Sequence, residues 1–110
     1  MARVELTVEV SGIGGLEPTA TNLNADGHGF KAYKDVQVRI NNGATAFVLT
    51  IPTSRTVDGL AVADKTISIG SNETHIINFR DVNIDNFIQS GGLVHLDYDD
   101  VSDGTVEVYR

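Results

Sequence analysis

An all-β fold, an antiparallel β-sandwich, is what this 110-residue sequence predicts. Three observations carry the prediction. Apolar residues recur at every second position in several short runs, the period of a strand with one buried face. Clusters of Gly, Asn, Asp and Ser recur roughly every ten residues, the turn spacing of a sandwich or barrel. No stretch carries an apolar stripe at i, i+3, i+4 and i+7 over three turns, so no long helix is expected.

Taken in order, RVELTVEV sets Val4, Leu6, Val8 and Val10 on one face against Arg3, Glu5, Thr7 and Glu9, and reads as a half-buried strand. Residues 11–30, SGIGGLEPTATNLNADGHGF, differ: they hold five glycines and Pro18, with Ile13, Leu16, Leu23 and Phe30 widely spaced. A structureless connection of that length is uncommon in a compact domain. Either it hides a short edge strand or it is an arm that orders on a partner. DVQVRI turns Val36, Val38 and Ile40 inward, and TAFVLTI turns Phe47, Leu49 and Ile51. Asn42-Gly43 lies between them, a pair suited to a tight turn with positive φ, so 35–51 is predicted to be a hairpin.

VDGLAVADKTISI, residues 57–69, fits neither a helix nor one strand. Gly59 interrupts it, and Thr66, Ile67 and Ile69 favour strands. Beyond it, KTISIG offers Ile67 and Ile69, and GSNE turns. THIINF offers His75, Ile77 and Phe79 or the opposite set. NIDNFIQ allows one helical turn started by Asp85. GLVHLDYD alternates Val94, Leu96 and Tyr98 with Leu93, His95 and Asp97, and TVEVY closes with Val106 and Val108. The total is about seven or eight strands in a single domain, 1–110. Their order is left open between a jelly roll and an immunoglobulin-like sandwich.

Composition narrows the function. Without cysteine there is neither a disulfide framework nor thiolate chemistry. No apolar run reaches the length of a membrane span. The N-terminus alternates from its first residues, unlike a signal or transit peptide, so synthesis in a cytoplasm with a start near Met1 is expected. Of the net charge of -7, residues 81–110 carry -6, seven acidic residues against Arg110. Such a segment repels a duplex or an anionic membrane. Lys31, Lys34 and Arg39 against Asp35 make too small a basic patch for nucleic acid.

Several motifs have a bland reading that is preferred. GIGG lacks the third glycine and the helix of a dinucleotide loop, and reads as loop glycines. The carboxylates of DYDDVSDG, Asp97, Asp99, Asp100 and Asp103, suit a hard cation but miss the EF-hand spacing, so a solvated turn is preferred. His28, His75 and His95 show no ligand spacing. His28 lies two residues from Asp26 in the glycine-rich segment, within hydrogen-bonding reach. No nucleophile elbow appears, and no catalytic set or cofactor site is assigned. Asn72–Thr74 fits the glycosylation pattern but reads as a turn.

At TVDGLAVADKTISI, followed by GSNETHIINF, NIDNF and GLVHLDYDDVSDGTVEV, the sequence resembles a family. It is similar to the small structural proteins encoded among the head genes of tailed phages. Matching elements are 25–30 (an ADGH.F pattern), Asn42-Gly43, 56–66, 74–79 and 93–108; the match runs from Asp26 onward, about four-fifths of the chain, with VDGLAVAD the most specific. Where the family places prolines after the aromatic residue, this chain has NFRDV. The resemblance implies a virion protein, most plausibly a decoration (cement) protein that binds the major capsid protein on the outside of the assembled head. It implies neither catalysis nor a cofactor, and a homo-oligomer on the shell, a trimer by local capsid symmetry. Ile13, Leu16, Leu23, His28 and Phe30, in the arm, with Val57, Leu60 and Val62 are then the expected capsid or subunit contacts. Val57, Leu60 and Val62 have a bland alternative, a plug at the open end of the domain's own core. Three other readings stand beside this one: a small hydrolase, the weakest for want of a catalytic set, a head–tail connector or tail component, and a carbohydrate-binding sandwich. The last is poorly served by no Trp and only Tyr33, Tyr98 and Tyr109.

Overall fold

The alternating runs become strands in a computed structural model that describes residues 3–53, 56–57, 59–61, 63–80, 84–89 and 91–110. In chain order they are β1 (Val4–Leu6), β2 (Thr21–Asn22), β3 (His28–Lys31), β4 (Gln37–Asn41), β5 (Phe47–Ile51), β6 (Thr56–Val57), β7 (Leu60–Ala61), β8 (Lys65–Ile69), β9 (Thr74–Asn78), β10 (Leu93–Tyr98) and β11 (Thr105–Tyr109). Nine of them form two packed sheets, β1-β3-β10-β5-β8 and β2-β11-β4-β9. β6 and β7 form a separate two-stranded ribbon. The one helical piece among the described residues is a 3-10 turn at Ile84–Phe87, with Asp85 in its first turn.

The pairing is nested. β2 pairs with β11, β3 with β10, β4 with β9 and β5 with β8, each antiparallel. β11 also joins β4, and β10 joins β5. Eight strands paired first with last, inward to the middle, and split between two sheets are a jelly roll. This decides the question left open by the sequence against the immunoglobulin-like order.

The core lies between the sheets. Val36, Val38 and Ile40 from the β4 run, with Val106 and Val108 of β11, are buried in one cluster with Leu49 and Ile51 of β5, Val94 and Leu96 of β10, and Phe30 of β3. Alternation sends the intervening residues outward, as period two requires. Phe79 and Phe87, in edge-to-face contact with centroids 5.8 Å apart, cap one end of this layer.

Three expectations change. The strands of 35–51 are present, but they are not a hairpin: β4 and β5 lie in different sheets. Both bury every second residue against the same core, and 42–46 is an arch between the sheets. The Asn42 side chain braces it, donating from Nδ2 to the carbonyls of Thr45 and Gly70, both at 2.9 Å. Gly43 does not have positive φ. A Cβ there would sit 2.7 Å from that of Asp103, so close approach explains the glycine. Second, of the two readings of 11–30 the hidden edge strand holds, and an arm over the whole segment does not. The segment contains the edge strand β2 and the interior strand β3, which leaves 11–20 as the loop.

Third, the N-terminal run is split between the sheets. Val4–Leu6 pairs parallel with β3 on the first sheet. Glu9 then pairs with Tyr109 of the second, where the Glu9 amide donates to the Val108 carbonyl and the Ser11 amide to that of Arg110. Leu6 and Val8 pack on the core while Val4 and Val10 stay exposed, because a strand that changes sheets cannot keep one face inward. The crossing leaves a groove of about 310 Å³ beside β11, lined by Glu5, Thr7, Glu9, Thr19 and neighbouring core valines.

Arg3 anchors this strand, pairing with Asp97 and donating to the carbonyls of His28 and Leu96. Gly27 lies beneath it at φ 80°, and a Cβ would meet Arg3, the Asp97 carboxylate and the Leu96 carbonyl. Gly27→Ala is therefore expected to cost about 1–3 kcal/mol, from the left-handed backbone and displacement of the clamp. A denaturant midpoint unchanged within error would refute this account of the position.

Candidate functional site

Strand directions decide which loops share an end. β3, β5, β9 and β11 run one way, and β2, β4, β8 and β10 the other. One end therefore gathers the loops 23–27, 42–46, 70–73 and 99–104. The other gathers the described residues of 7–20, 32–36, 52–64 and 79–92 with the C-terminus.

The two ends are chemically unlike. The first carries Asp26, Glu73, Asp97, Asp99, Asp100 and Asp103 against Arg3, a net of five of the seven negative charges. Its carboxylates mostly hold loop backbone. Asp99 accepts from the Val48 amide at 2.7 Å, Asp103 from Thr45 at 3.0 Å and Asp100 from Ser102 at 2.8 Å. Glu73 accepts from the Gly70 amide at 2.7 Å and contacts His75 at 2.9 Å, and these bonds hold its pKa below the ordinary value. Among the described residues, no three His, Asp or Glu side chains converge in a metal-binding arrangement.

The second end is charge-balanced: Glu9, Glu17, Asp35, Asp64 and Asp85 face Lys31, Lys34, Lys65, Arg80 and Arg110 among its described residues. Arg110 lies over the Tyr33 ring at 4.2 Å and pairs with Asp35 at 3.1 Å. Three of the most exposed large apolar residues are also here: Val10, Ile13, fully exposed, and Leu60, at 73%. Ile13 stands on a turn closed by the Gly15 amide on the Gly12 carbonyl at 2.9 Å, with Gly15 at φ 86°.

Leu60 is on the ribbon. β6 and β7 pair as Thr56↔Ala61 and Val57↔Leu60, with Gly59 at φ 79° in the turn. The ribbon extends the β5–β8 hairpin, whose last pair is Ile51↔Lys65, and the Asp64 carboxylate accepts from the Thr53 amide between them at 2.9 Å. The outgoing connection, 52–55, is one residue longer than the return, 62–64, so the ribbon's register is offset from that of the ladder. VDGLAVADKTISI thus comprises the ribbon and then β8.

The eight expected contact residues part company here. Leu23, His28 and Phe30 are buried, at 7%, 1% and 0% exposure, and offer a partner no surface. β2 and β3, hidden in the glycine-rich run, draw them in. Leu16 is half-buried, while Ile13 and Leu60 are exposed. Exposure of Leu60 rules it out as a plug of the domain's own core. The side chain of Val57, and Val62 altogether, lie outside the described residues. Val10 joins Ile13 and Leu60 as an exposed residue that alternation hides, since period two places it on the inward face of the first strand.

His28 bonds Tyr98, not Asp26: its Nδ1 is 2.8 Å from the Tyr98 hydroxyl, with the rings edge-on. Burial, then the charge of Arg3, push the imidazole below its ordinary pKa. Burial likewise raises the Tyr98 phenol. His95 is lowered by burial and Arg3. Below about pH 6.5 the unfolded chain takes up protons at these histidines that the folded protein refuses, so stability present at neutral pH declines as pH falls through that value toward the folded pKa. Tm should be flat between pH 7 and about 9 and fall through the range 6.5–5. His28→Gln should flatten part of that decline, and an unaltered pH profile in the variant would remove His28 from the account. No known protein family, curated protein or solved structure matches this chain at a significant level.

Proposed function

We propose that the chain is a tailed-phage virion protein of the decoration type, which docks on the assembled head through its charge-balanced, ribbon-bearing end. The supporting observation is the gathering of Val10, Ile13 and Leu60 at that end, while five of the net negative charges lie at the opposite one. Exposed apolar side chains on a face depleted of net charge suit an interface core. The acidic end is left in solvent, where like charge discourages the molecules from stacking on one another. The resemblance around VDGLAVAD falls on the ribbon itself, and the partner it suggests is the major capsid protein. The reading assigns no catalytic group or cofactor, and places the protein on the outer face of the virion.

Magnitudes suit a repeated weak site. Burying each of the three side chains contributes about 1.5–3 kcal/mol. Their sum only begins to offset an association cost of about 4–15 kcal/mol. Such a contact works when used many times on one array, where linked sites multiply the effect. A carbohydrate-binding role is disfavoured: the four Phe are buried and the three Tyr half-buried, so no ring stands fully exposed as a sugar platform.

Purified protein mixed with heads lacking it should sediment with them saturably, at a copy number matching a symmetry class of the shell. Leu60→Asp and Ile13→Ser should each weaken this by about ten-fold or more. Stability should change by less than about 0.5 kcal/mol, since both side chains are exposed. Binding by both variants as tight as wild type would sink the docking surface. Binding to tails or connectors in place of heads would move the protein to the neck or tail.

A further inference from the structure

The two long sides of the sandwich are treated differently. Along one, residues 3–11 run over the edges of both sheets. Along the other, β8 and β9 are each the last strand of their sheet, with nothing beyond them among the described residues. Hydrogen-bond alternation shows which of their groups are free. Val48 exchanges bonds with Asp99 on the β10 side, so Phe47, Leu49 and Ile51 bond β8, and the backbone groups of Thr66 and Ser68 point outward. The Asn42 amide donates to the Glu73 carbonyl, so on β9 the outward groups are those of Thr74, Ile76 and Asn78. Neither edge has a proline, and Lys65 is the one charged residue of the two strands. Ile76 is 58% exposed in the middle of β9, and Ile67 and Ile77, half-buried, line the gap between the sheets. An unguarded edge of this kind is a template for another strand.

We propose that this side pairs with the same side of a second copy about a two-fold axis parallel to the strands. β8 and β9 run in opposite directions and sit in opposite sheets. Such a rotation therefore sets β8 antiparallel to β9 of the partner copy at both seams. The match extends to the pleat, since outward-facing Thr66 and Ser68 meet outward-facing Thr74, Ile76 and Asn78, and Ile67 and Ile77 of both copies close the gap between the sheets. The alternative, β9 against β9, satisfies one edge and leaves β8 and the gap uncovered. Glu73, directly before β9, already has its charge held by His75 and the Gly70 amide. The axis also keeps both ribbon ends pointing one way, so a dimer, in place of the trimer suggested by shell symmetry, can seat both copies on one surface. A strand of five residues spans about 17 Å and the sheets lie about 10 Å apart, so the patch is small and association weak in free solution.

The absence of cysteine makes the test clean. Ile76→Cys is mixed, under mild oxidation at high protein concentration, with Ser68→Cys in one tube and Thr66→Cys in another. At least one mixture should give a disulfide-linked dimer in large excess over either chain alone. In unmodified protein, amide resonances of residues 66, 68, 74, 76 and 78 should shift together as concentration rises. All three substituted side chains are exposed, so loss of fold does not confound the result. Self-linking of Ile76→Cys as the main product, or no linkage in either mixture together with concentration-independent amides, would overturn the proposal. Because the measurement uses free protein, it stands or falls separately from binding to heads.

Discussion

The fold rests on one constraint: successive strands must meet face to face across the core. From β2 to β11 the chain changes sheet at every connection except the one between β5 and β8. An alternating strand has a single apolar face, and Val38 and Ile40 of β4 find theirs covered by the opposite sheet. The loops are consequently arches over a gap of about 10 Å, and they collect at two ends. Where the chain does turn back within one sheet, the hairpin is free to extend past the body. That is where the ribbon is, and its place follows from topology before any question of a partner arises.

The arches also explain the acidic end. A loop leaving the sheet ladder has backbone amides without strand partners, and each needs an acceptor. Aspartate supplies one on a short side chain, as Asp103 does for Thr45 and Asp100 for Ser102. The cluster that resembles a cation site in sequence is thereby occupied by the protein itself. Glu107 is a related case on the second sheet. It is nearly buried yet held ionised by a bidentate pair with Arg39 at 2.8 and 2.7 Å and a bond from Asn41. Its pKa is lowered chiefly by Arg39.

Much of this was legible in the sequence, and the failures are specific. Strands and their inward faces could be read wherever alternation ran for five residues, as in β4, β5 and β11. Asn42-Gly43 misled because a turn pair reports that the chain bends, and leaves open whether the next strand lies beside or across from the last. His28 and Phe30 were misplaced because β3 has only four residues, one of them a glycine, too few to show a period. Leu60 was legible as anomalous, an apolar residue beside a glycine in a run with no period, but exposure depends on the ribbon leaving the body. The sharing of one end by Ile13 and Leu60, 47 positions apart, depends wholly on strand direction and had no local signal.

The nested pairing has a kinetic side. Thr21 is paired with Val106 and His28 with Leu96, so the first strands of the roll find their partners among the last to be made. Closing loops of that size must precede the contacts that reward it, which places the fold among the slow, non-local topologies. Until the C-terminal strands leave the ribosome, β3 and β4 expose their apolar faces with β5 and β8 alone able to pair. The innermost pair of the nest, Phe47–Ile51 with Lys65–Ile69, is the natural place for structure to begin, and the edges laid down last are those that hold the N-terminal strand.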